Sequence, residues 1–457
     1  MSAAARAPAA PSPAEVWHGL LRPEVELAPA FCGEMAARLR SARLTFGDRV
    51  HCPFLRPFFL DDAEEQHVRT VSETIAQLGE RIVQASLQSA PLLAQAVLTE
   101  EEERLVRIEP GYATASTASR LDSFLLPDSL QFAEYNAESP AGLGYAETLG
   151  EVFSALPLMA RFRERYEVRA YPLSATILEA LLASYREWGG RETPTIAIVD
   201  WREVPTWSEF EILQERFERQ DVPTLVADPR DLQFDGKALT ASGRKIDLVY
   251  RRVLINDVVA HPAESKALVD AYAARAVCVA NTFRCKIPHK KAFFAVLTED
   301  DNQHLFSAPE QEIIRRHVPW TRVVREGRTR HYGEPIDLLP YTRRHRAELV
   351  LKPSDEYGGA GVTLGWETDE RQWEATLERV LQRAGTWIVQ ERIAARREVF
   401  PQFEAGSGAA MRDVLVDLAP YLFRGRLAGF LVRLSATGLA NVTSGGGQVP
   451  AFVVRPR

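Results

Sequence analysis

Apolar residues recur at intervals of three and four from residue 14 to about residue 110, which is the spacing of one face of an α-helix. The clearest example lies in residues 63–96, where the apolar positions are Val68, Val71, Ile75, Leu78, Ile82 and Val83. This pattern predicts a helical N-terminal region that packs as a layer on the rest of the chain. Residues 1–13 are rich in Ala and Pro and lack an apolar run, so we expect a disordered leader there and not a signal peptide.

The pattern becomes extended in residues 111–169. Two short stretches, around 120–122 and 130–136, are separated by Pro-Asp-Ser at 127–129, which is typical of a turn. We interpret them as two paired strands, followed by a helix over about 144–156. Residues 170–285 then alternate short apolar strands with helices, which favours a parallel, doubly wound, Rossmann-like sheet. Because no Gly-rich dinucleotide fingerprint follows the first strand, a nicotinamide or flavin cofactor is not supported.

Residues 286–457 combine helices with antiparallel strands, and many arginines lie between 315 and 346. A chain of 457 residues with 46% hydrophobic and 26% charged residues is long enough for two or three domains of an ordinary globular protein. The net charge of -7 indicates neither a nucleic-acid nor a membrane-surface partner. The longest uncharged run, 434–454, is interrupted by Gly and polar residues and cannot be a membrane helix, so we expect a cytoplasmic protein. The four cysteines lack zinc-site spacing and are expected to be buried free thiols.

The paired strands at 120–136 carry the first candidate chemistry. Pairing through the turn brings Asp122 beside Glu134 and Asn136, so three side-chain oxygen groups converge, and such oxygens are the ligands that Mg²⁺ prefers. Arg120 lies two residues before Asp122 and faces the same side of the strand, where it can hold a phosphate. The alternative is that these are ordinary polar residues on the solvent face of an edge strand.

The second candidate lies in residues 348–366, where an apolar strand ends at Lys352 and is followed by Gly358, Gly359 and Gly361. Glycines let backbone N–H groups approach phosphate oxygens, and the lysine supplies a positive charge. The segment is not a P-loop, because Gly-Lys-Ser/Thr is absent and a strand follows the loop. A Gly-rich hairpin without a ligand is the alternative. A helix at about 373–384 and a strand ending at Gln390 and Glu391 come next.

Together these motifs resemble the circularly permuted ATP-grasp family, which includes glutathionylspermidine synthetase-like carboxylate–amine ligases. The metal residues precede the phosphate loop here, the reverse of the order in ordinary ATP-grasp enzymes, and that reversal is the mark of the permutation. The resemblance implies a mixed α/β (α+β) fold. Its expected parts are the helical layer at 14–110, a metal-binding segment at 111–169, a Rossmann-like pre-ATP-grasp domain at 170–285 and an ATP-grasp nucleotide-binding domain at 286–457.

The resemblance also implies site residues. Asp122, Glu134 and Asn136 are similar to the family's Mg²⁺ ligands, and Arg120 to the arginine that steadies the transferring phosphate. Lys352 and the glycines match the phosphate hairpin. Gln390 and Glu391 match the adenine-binding segment, and Arg433 could stabilise an acyl phosphate. A second nucleotide lysine is expected, but the sequence does not choose between Lys290 and Lys291.

The function that the resemblance implies is an ATP- and Mg²⁺-dependent ligase that joins a carboxylate to an amine through an acyl phosphate. The substrates would be small molecules or peptides. Consistent with this chemistry, the sequence contains no nucleophile-elbow motif and no Cys/His pairing. An ATP-grasp kinase and a catalytically silent nucleotide-binding protein are the alternatives. The sequence determines neither the acid and amine substrates nor the oligomeric state.

Overall fold

The structure, a computed structural model, describes residues 11–47, 49–356, 359–383, 385–404, 407–436 and 446–457. The N-terminal part is mainly helical. Helix α3 begins with a capping box formed by Asp61 and Glu64, and all six apolar residues predicted for its inner face are buried. The elements are α1 (Pro13–Leu20), α2 (Pro29–Ser41), β1 (Thr45–Phe46), β2 (Arg49–Val50), β3 (Phe58–Leu60), α3 (Asp62–Gln88), α4 (Ala90–Ala94) and α5 (Glu100–Val106).

The first helix begins at the expected end of the leader. Ser12 caps α1, and the helix begins at Pro13. The Ser12 side chain accepts a hydrogen bond from the Glu15 backbone N–H, and the Glu15 carboxylate accepts one from the Ser12 backbone. Proline at the first helical position adds to this start signal, which the Ala/Pro composition obscured. Residues 1–10 lie outside the described residues.

The predicted strand pair at 120–136 is present and is followed by two helices. Its elements are β4 (Ala118–Leu125), β5 (Leu130–Asn136), α6 (Leu143–Ser154), α7 (Pro157–Phe162) and β6 (Tyr166–Arg169). The turn is closed by a hydrogen bond from the Leu126 backbone N–H to the Ser129 carbonyl oxygen. Strand β6 pairs elsewhere, with a strand at the C-terminus that also pairs with β3.

The prediction of a parallel sheet is confirmed. Strands β7, β8, β12 and β13 lie in the order β13-β12-β7-β8, and every neighbouring pair is parallel. Because the first strand in sequence lies inside the sheet, the chain winds outward in both directions, which defines a doubly wound topology. The elements are α8 (Leu173–Trp188), β7 (Ile196–Val199), α9 (Trp207–Glu218), β8 (Thr224–Ala227), β9 (Gln233–Phe234), β10 (Leu239–Ala241), β11 (Arg244–Ile246), β12 (Leu248–Arg251), α10 (Ile255–Ala260), α11 (Lys266–Ala273) and β13 (Cys278–Ala280).

Two antiparallel sheets complete the chain. One has the order β14-β19-β17-β18 and carries the Gly-rich hairpin. Its region contains α12 (Lys286–His289), α13 (Ala292–Thr298), α14 (Ala308–His317), β14 (Thr321–Val323), β15 (Arg328–His331), β16 (Glu334–Asp337), α15 (Leu338–Arg344), β17 (Leu349–Pro353), β18 (Thr363–Leu364), α16 (Glu370–Leu381) and β19 (Trp387–Glu391).

The other sheet joins distant parts of the chain. Strands β4 and β5 continue into three C-terminal strands in the order β23-β22-β21-β4-β5, and a further strand pairs with β21. The C-terminal strands are β20 (Arg397–Glu404), β21 (Gly408–Phe423), β22 (Arg426–Ser435), β23 (Gly447–Val449) and β24 (Ala451–Pro456). Among the described residues, no helix has both the length and the apolar character needed to cross a membrane.

Candidate active site

The face of the strand pair β4–β5 carries the predicted metal residues. Asp122 lies opposite Glu134, and Arg120 lies opposite Asn136, in the antiparallel register. The Asn136 side-chain amide donates to Glu134 Oε1 over 3.1 Å. The strand pair thus brings these four side chains together, with the help of a β-bulge between Asp122 and Ser123. Without the bulge, the register that begins at the turn would place Asp122 opposite Ala133.

Asp122 is held by two arginines. Arg120 Nε donates to Asp122 Oδ1 over 2.7 Å, and Arg433 Nη2 donates to Asp122 Oδ2 over 2.6 Å. Arg433 is the cross-strand partner of Asp417, and its Nε donates to Asp417 Oδ2 over 2.5 Å. A row of charged side chains thus crosses the sheet from β22 through β21 and β4 to β5.

In this row Arg120, Asp122 and Asp417 are buried, whereas Arg433 and Glu134 are partly buried. Burial raises the pKa of Asp417 to about 6, since Arg433 lowers it by less than burial raises it and Asp122 raises it further. Burial alone would lower the pKa of Arg433, but the carboxylates of Asp122 and Asp417 outweigh it and raise that pKa. The Arg433 guanidinium therefore stays charged, and Asp417 protonates more easily than an ordinary aspartate.

Lys352 reaches the same place from the neighbouring sheet. Its Nζ donates to Gln390 Oε1 over 2.6 Å and to the Ala133 carbonyl oxygen over 3.1 Å, next to Glu134. Burial lowers the pKa of Lys352 to about 8, and Lys291 contributes to this lowering while Glu134 and Asp122 oppose it. A lysine with a lowered pKa in a cleft is a feature of functional sites.

The two neighbouring lysines point to different places. Lys291 Nζ lies 3.2 Å from Glu134 Oε2 and donates to the Glu356 carbonyl oxygen over 2.5 Å. Lys290 Nζ lies 2.8 Å from Glu102 Oε2 and 2.7 Å from Asp355 Oδ2, in a separate buried cluster. Burial alone would raise the pKa of Glu134, but Lys291 and Lys352 hold it well below its usual range. Of the two lysines that the sequence left open, Lys291 is therefore the one beside the predicted metal residues.

The Gly-rich hairpin covers one side of the site. Gly359 and Gly361 have φ of +78° and +74°, a region that L side chains rarely adopt. A Cβ on Gly361 would also lie 2.8 Å from Pro353 Cγ. Gly358, the third predicted glycine, lies outside the described residues.

These elements enclose a cavity of about 400 Å³, a size typical of small-molecule sites. Its wall combines charged and apolar residues. The charged residues include Asp122, Glu134, Lys291, Lys352, Asp417 and Arg433, and the apolar residues include Val350, Val362, Leu364, Trp366, Ile393 and Leu415. A ligand with both a highly charged part and a flat apolar part fits this lining.

Most of the predicted site residues line this cavity, including Gly359, Gln390 and Glu391. Arg120 and Asn136 are not part of its wall and instead contact the wall residues Asp122 and Glu134. Gln390 binds Lys352 and, through Nε2, Thr321 Oγ1 over 3.0 Å, so its side chain is already engaged. The Glu391 carboxylate is bonded to His331 Nε2 over 2.8 Å and to the Tyr332 hydroxyl over 2.5 Å.

Sequence reasoning assigned no role to the apolar residues of the wall. Trp366 follows β18 at the end of the Gly-rich segment and Leu415 lies in β21, and neither side chain carries a charged or metal-binding group. Asp417 also lines the cavity, and its only sequence signal was an acidic residue within an apolar strand. Such residues can be recognised as site residues only once the strands have been placed next to each other.

The donor set fits a hard divalent cation. Asp122, Glu134 and Asn136 supply two carboxylates and one amide oxygen on one face, and a cation held by three such groups keeps open positions for phosphate oxygens. No cluster of three or more His, Cys, Asp and Glu side chains suited to a metal occurs within the part of the chain that the structure describes.

A family model described as circularly permuted ATP-grasp type 2 matches residues 127–443. A Frankia casuarinae protein named "Putative glutamate--cysteine ligase 2-2" is 23% identical over 341 residues, which cover 70% of this chain and 36% of that protein. A Frankia alni protein named "Putative glutamate--cysteine ligase 2-3" is 25% identical over 223 residues, or 46% of this chain and 24% of that protein. The chain thus spans about a third or less of the length of these relatives.

Among solved structures, a glutathione synthetase-like effector from Globodera pallida matches with a TM-score of 0.63 at 10% identity. The match covers 95% of this chain and 99% of the effector. At that identity the match describes the fold alone. The family match begins after β4 and so leaves out Asp122, whereas the match to the effector covers nearly the whole chain.

Proposed function

Because the chain belongs to the circularly permuted ATP-grasp type 2 family, we propose that it is an ATP- and Mg²⁺-dependent ligase that joins a carboxylate to an amine. The observation that carries the proposal is the cavity whose wall combines charged and apolar residues. It gathers Asp122, Glu134, Lys291 and Lys352 from separate segments, and its apolar residues offer a surface suited to a nucleobase.

In this proposal, Lys291 and Lys352 bind the phosphates, and backbone N–H groups of the Gly359–Gly361 hairpin approach them from the opposite side. The nucleobase lies between Leu364, Trp366 and Leu415. Residues 391–393 are proposed to present backbone groups to its edge. Gln390 acts indirectly, since its side chain orients the Lys352 amine.

Asp122, Glu134 and Asn136 are proposed to hold Mg²⁺, which supplies charge neutralisation for the triphosphate when it is bound. Arg433 lies beside this set and pairs with Asp417. Its guanidinium is therefore proposed to lie near the reacting groups. Arg120 orients the Asp122 carboxylate and donates to the Ala141 carbonyl oxygen over 2.9 Å. It is therefore proposed as a positioning residue.

The proposed chemistry has two displacements. The substrate carboxylate attacks the terminal phosphorus of ATP and ADP leaves, which produces an acyl phosphate. The amine then attacks the acyl carbon, phosphate leaves and a C–N bond forms. The chain binds and orients the reactants and stabilises negative charge through Lys352 and Arg433, so no side-chain nucleophile is required.

The test is ADP release from ATP and Mg²⁺ with a panel of carboxylates and amines, each alone and in pairs. Glutamate with cysteine comes first, because the named relatives suggest it, followed by other amino acids, polyamines and short peptides. The proposal expects ADP, phosphate and a coupled product only when one acid and one amine are both present. ADP release that depends on an alcohol acceptor would show a kinase instead, and nucleotide binding without turnover across the panel would favour a binding protein.

A further inference from the structure

A second charged cluster lies outside the cavity, where α12 meets the start of the Gly-rich hairpin. Asp355 accepts from two buried lysines at once. Lys286 Nζ donates to Asp355 Oδ1 over 2.7 Å, and Lys290 Nζ donates to Asp355 Oδ2 over 2.7 Å. Each oxygen of this carboxylate therefore has its own ammonium partner.

The two lysines are shared with carboxylates from other segments. Glu102 of α5 lies 2.8 Å from Lys290 Nζ, and Glu138, which follows β5, lies 3.3 Å from Lys286 Nζ. Arg251 Nη1 also pairs with Glu138 over 3.2 Å. The described members are three carboxylates and three cations, so the cluster is electrically balanced, as buried charges must be. It ties together the N-terminal helices, the parallel sheet and the hairpin.

The backbone at the start of the hairpin is fixed by the same segments. The Ser354 carbonyl oxygen accepts from the Lys291 backbone N–H over 2.8 Å, and the Glu356 carbonyl oxygen accepts from Lys291 Nζ over 2.5 Å. Between them, the Asp355 carbonyl oxygen accepts from Asn256 Nδ2 over 3.3 Å. Three successive carbonyl groups are thus held immediately before the residues that line the cavity.

We propose that Asp355, with Lys286 and Lys290, is a positioning cluster that fixes the Gly-rich hairpin over the nucleotide cavity before the nucleotide binds. This inference rests on the proposed function for the role of the cavity, but the contacts of the cluster are independent of it. If the hairpin is already ordered, binding does not have to supply the free energy of ordering it, and the affinity for the nucleotide is higher. The cluster also gives the helical N-terminal region a role, because Glu102 is one of its carboxylates.

The two adjacent lysines, Lys290 and Lys291, have different proposed roles. Lys290 acts through Asp355 on the position of the hairpin and does not contact the nucleotide, whereas Lys291 lines the cavity. Because Lys291 Nζ also holds the Glu356 carbonyl oxygen, substitution of Lys291 removes both a cavity contact and a hairpin contact. Substitution of Lys290 removes no cavity contact, so it tests the positioning role alone.

The experiment compares Asp355→Asn, Lys290→Met and the double variant with the wild-type protein. Backbone hydrogen exchange is followed in peptides covering residues 349–364, without nucleotide. Binding of MgATP is measured by calorimetry.

In each single variant, the backbone of this segment is expected to exchange about tenfold faster, because the hairpin opens locally more often. Each variant is also expected to bind MgATP about tenfold more weakly, because the hairpin is misplaced over the cavity. Because both substitutions remove one shared contact, the double variant is expected to be no worse than Asp355→Asn.

The matched control is the exposed pair Lys266–Asp270, which has the same two residue types on α11. Asp270→Asn and Lys266→Met are expected to leave both measurements unchanged. Lys290→Arg keeps the charge and is expected to restore slow exchange, and peptides from the parallel sheet report whether the fold is intact.

Unchanged exchange in the hairpin, or additive effects of the two substitutions, would overturn the proposal. Weaker MgATP binding by Lys290→Met with normal exchange would instead make Lys290 a direct nucleotide contact, and that result would overturn it too. If the wild-type protein binds no MgATP, the proposed function fails. The exchange comparison would still decide whether the cluster holds the hairpin.

Discussion

Asp122 and Glu134 face each other across β4 and β5, and both carboxylates line the same cavity. Two neighbouring carboxylates repel each other, and the structure offsets this with separate cations. Arg120 and Arg433 hold Asp122, and Lys291 lies 3.2 Å from Glu134. Burial alone would raise the pKa of Glu134, but Lys291 and Lys352 hold it well below its usual range, so this carboxylate is ionised and suited to a divalent cation.

Asp122→Asn and Glu134→Gln are each expected to weaken Mg²⁺-dependent ATP binding. The amides preserve shape but lose the negative charge, and in Asp122→Asn the new NH2 group cannot accept from Arg120 or Arg433. The dissociation constant for MgATP should therefore rise about 10- to 100-fold. Calorimetric titration with ATP at several Mg²⁺ concentrations measures this change. Asp337→Asn, at an exposed carboxylate of β16, serves as the control and should bind normally. Unchanged Mg²⁺ dependence in both site variants would mean that the metal lies elsewhere.

The affinity for ATP is expected to decrease above about pH 8, because burial lowers the pKa of Lys352 to about 8 from a usual 10.5. Below that pH the amine is charged and attracts phosphate. Above it, the free protein must take up a proton to bind, which costs up to about tenfold in affinity per pH unit.

The stability of the native state depends on the same titration of Lys352, but in the opposite direction to the affinity for ATP. Between the two pKa values the unfolded chain holds the Lys352 proton and the native state does not, so this group makes the native state relatively more stable as pH rises through that window. The Lys352→Met variant should bind ATP weakly at every pH, and its affinity should no longer depend on pH in this range. A flat affinity from about pH 7 to about pH 9.5 in the wild-type protein would contradict the assignment.

Gly361→Ala is expected to disturb the hairpin in two ways. The positive φ costs about 1–2 kcal/mol for a residue with a Cβ, and the added Cβ would contact Pro353 Cγ at 2.8 Å. The appropriate control is Gly243→Ala, where φ is +72° but no atom lies within 4 Å of the added Cβ. Chemical denaturation should show a loss of unfolding free energy in both variants, whereas only Gly361→Ala should weaken MgATP binding. Equal binding by the two variants would show that the hairpin conformation is not required.

The four cysteines are expected to resist alkylation in the native protein. All are buried and free, and burial raises the pKa of Cys52 and Cys285 to about 12. Since the thiolate is the reactive form, iodoacetamide should modify them only after unfolding. Mass spectrometry before and after addition of denaturant measures the difference. Rapid modification of native Cys285 would indicate that the segment before α12 opens, contrary to the buried packing described here.

Local sequence patterns were sufficient to predict the main helices and strands of this protein. The alternation and the turn at 127–129 identified the two paired strands, but the pairing of Asp122 with Glu134 also depends on a β-bulge between Asp122 and Ser123. The register that begins at the turn would otherwise place Asp122 opposite Ala133. The helix period likewise identified the buried face of α3, and the alternation of strands and helices identified the parallel sheet. These features depend on residues close in sequence, so they can be predicted without knowledge of the rest of the chain.

The composition of the cavity was decided by tertiary structure. Arg433 contacts Asp122 across 311 positions, and Lys352 contacts the Ala133 carbonyl across 219. The sequence also left Lys290 and Lys291 equivalent. They differ because successive residues point in different directions from the backbone, and only the docking of α12 between α5 and the hairpin decides which direction leads to Asp355 and which to Glu134. Short-range periodicity determines which faces are buried, whereas the partner that each charged side chain meets depends on how distant segments pack.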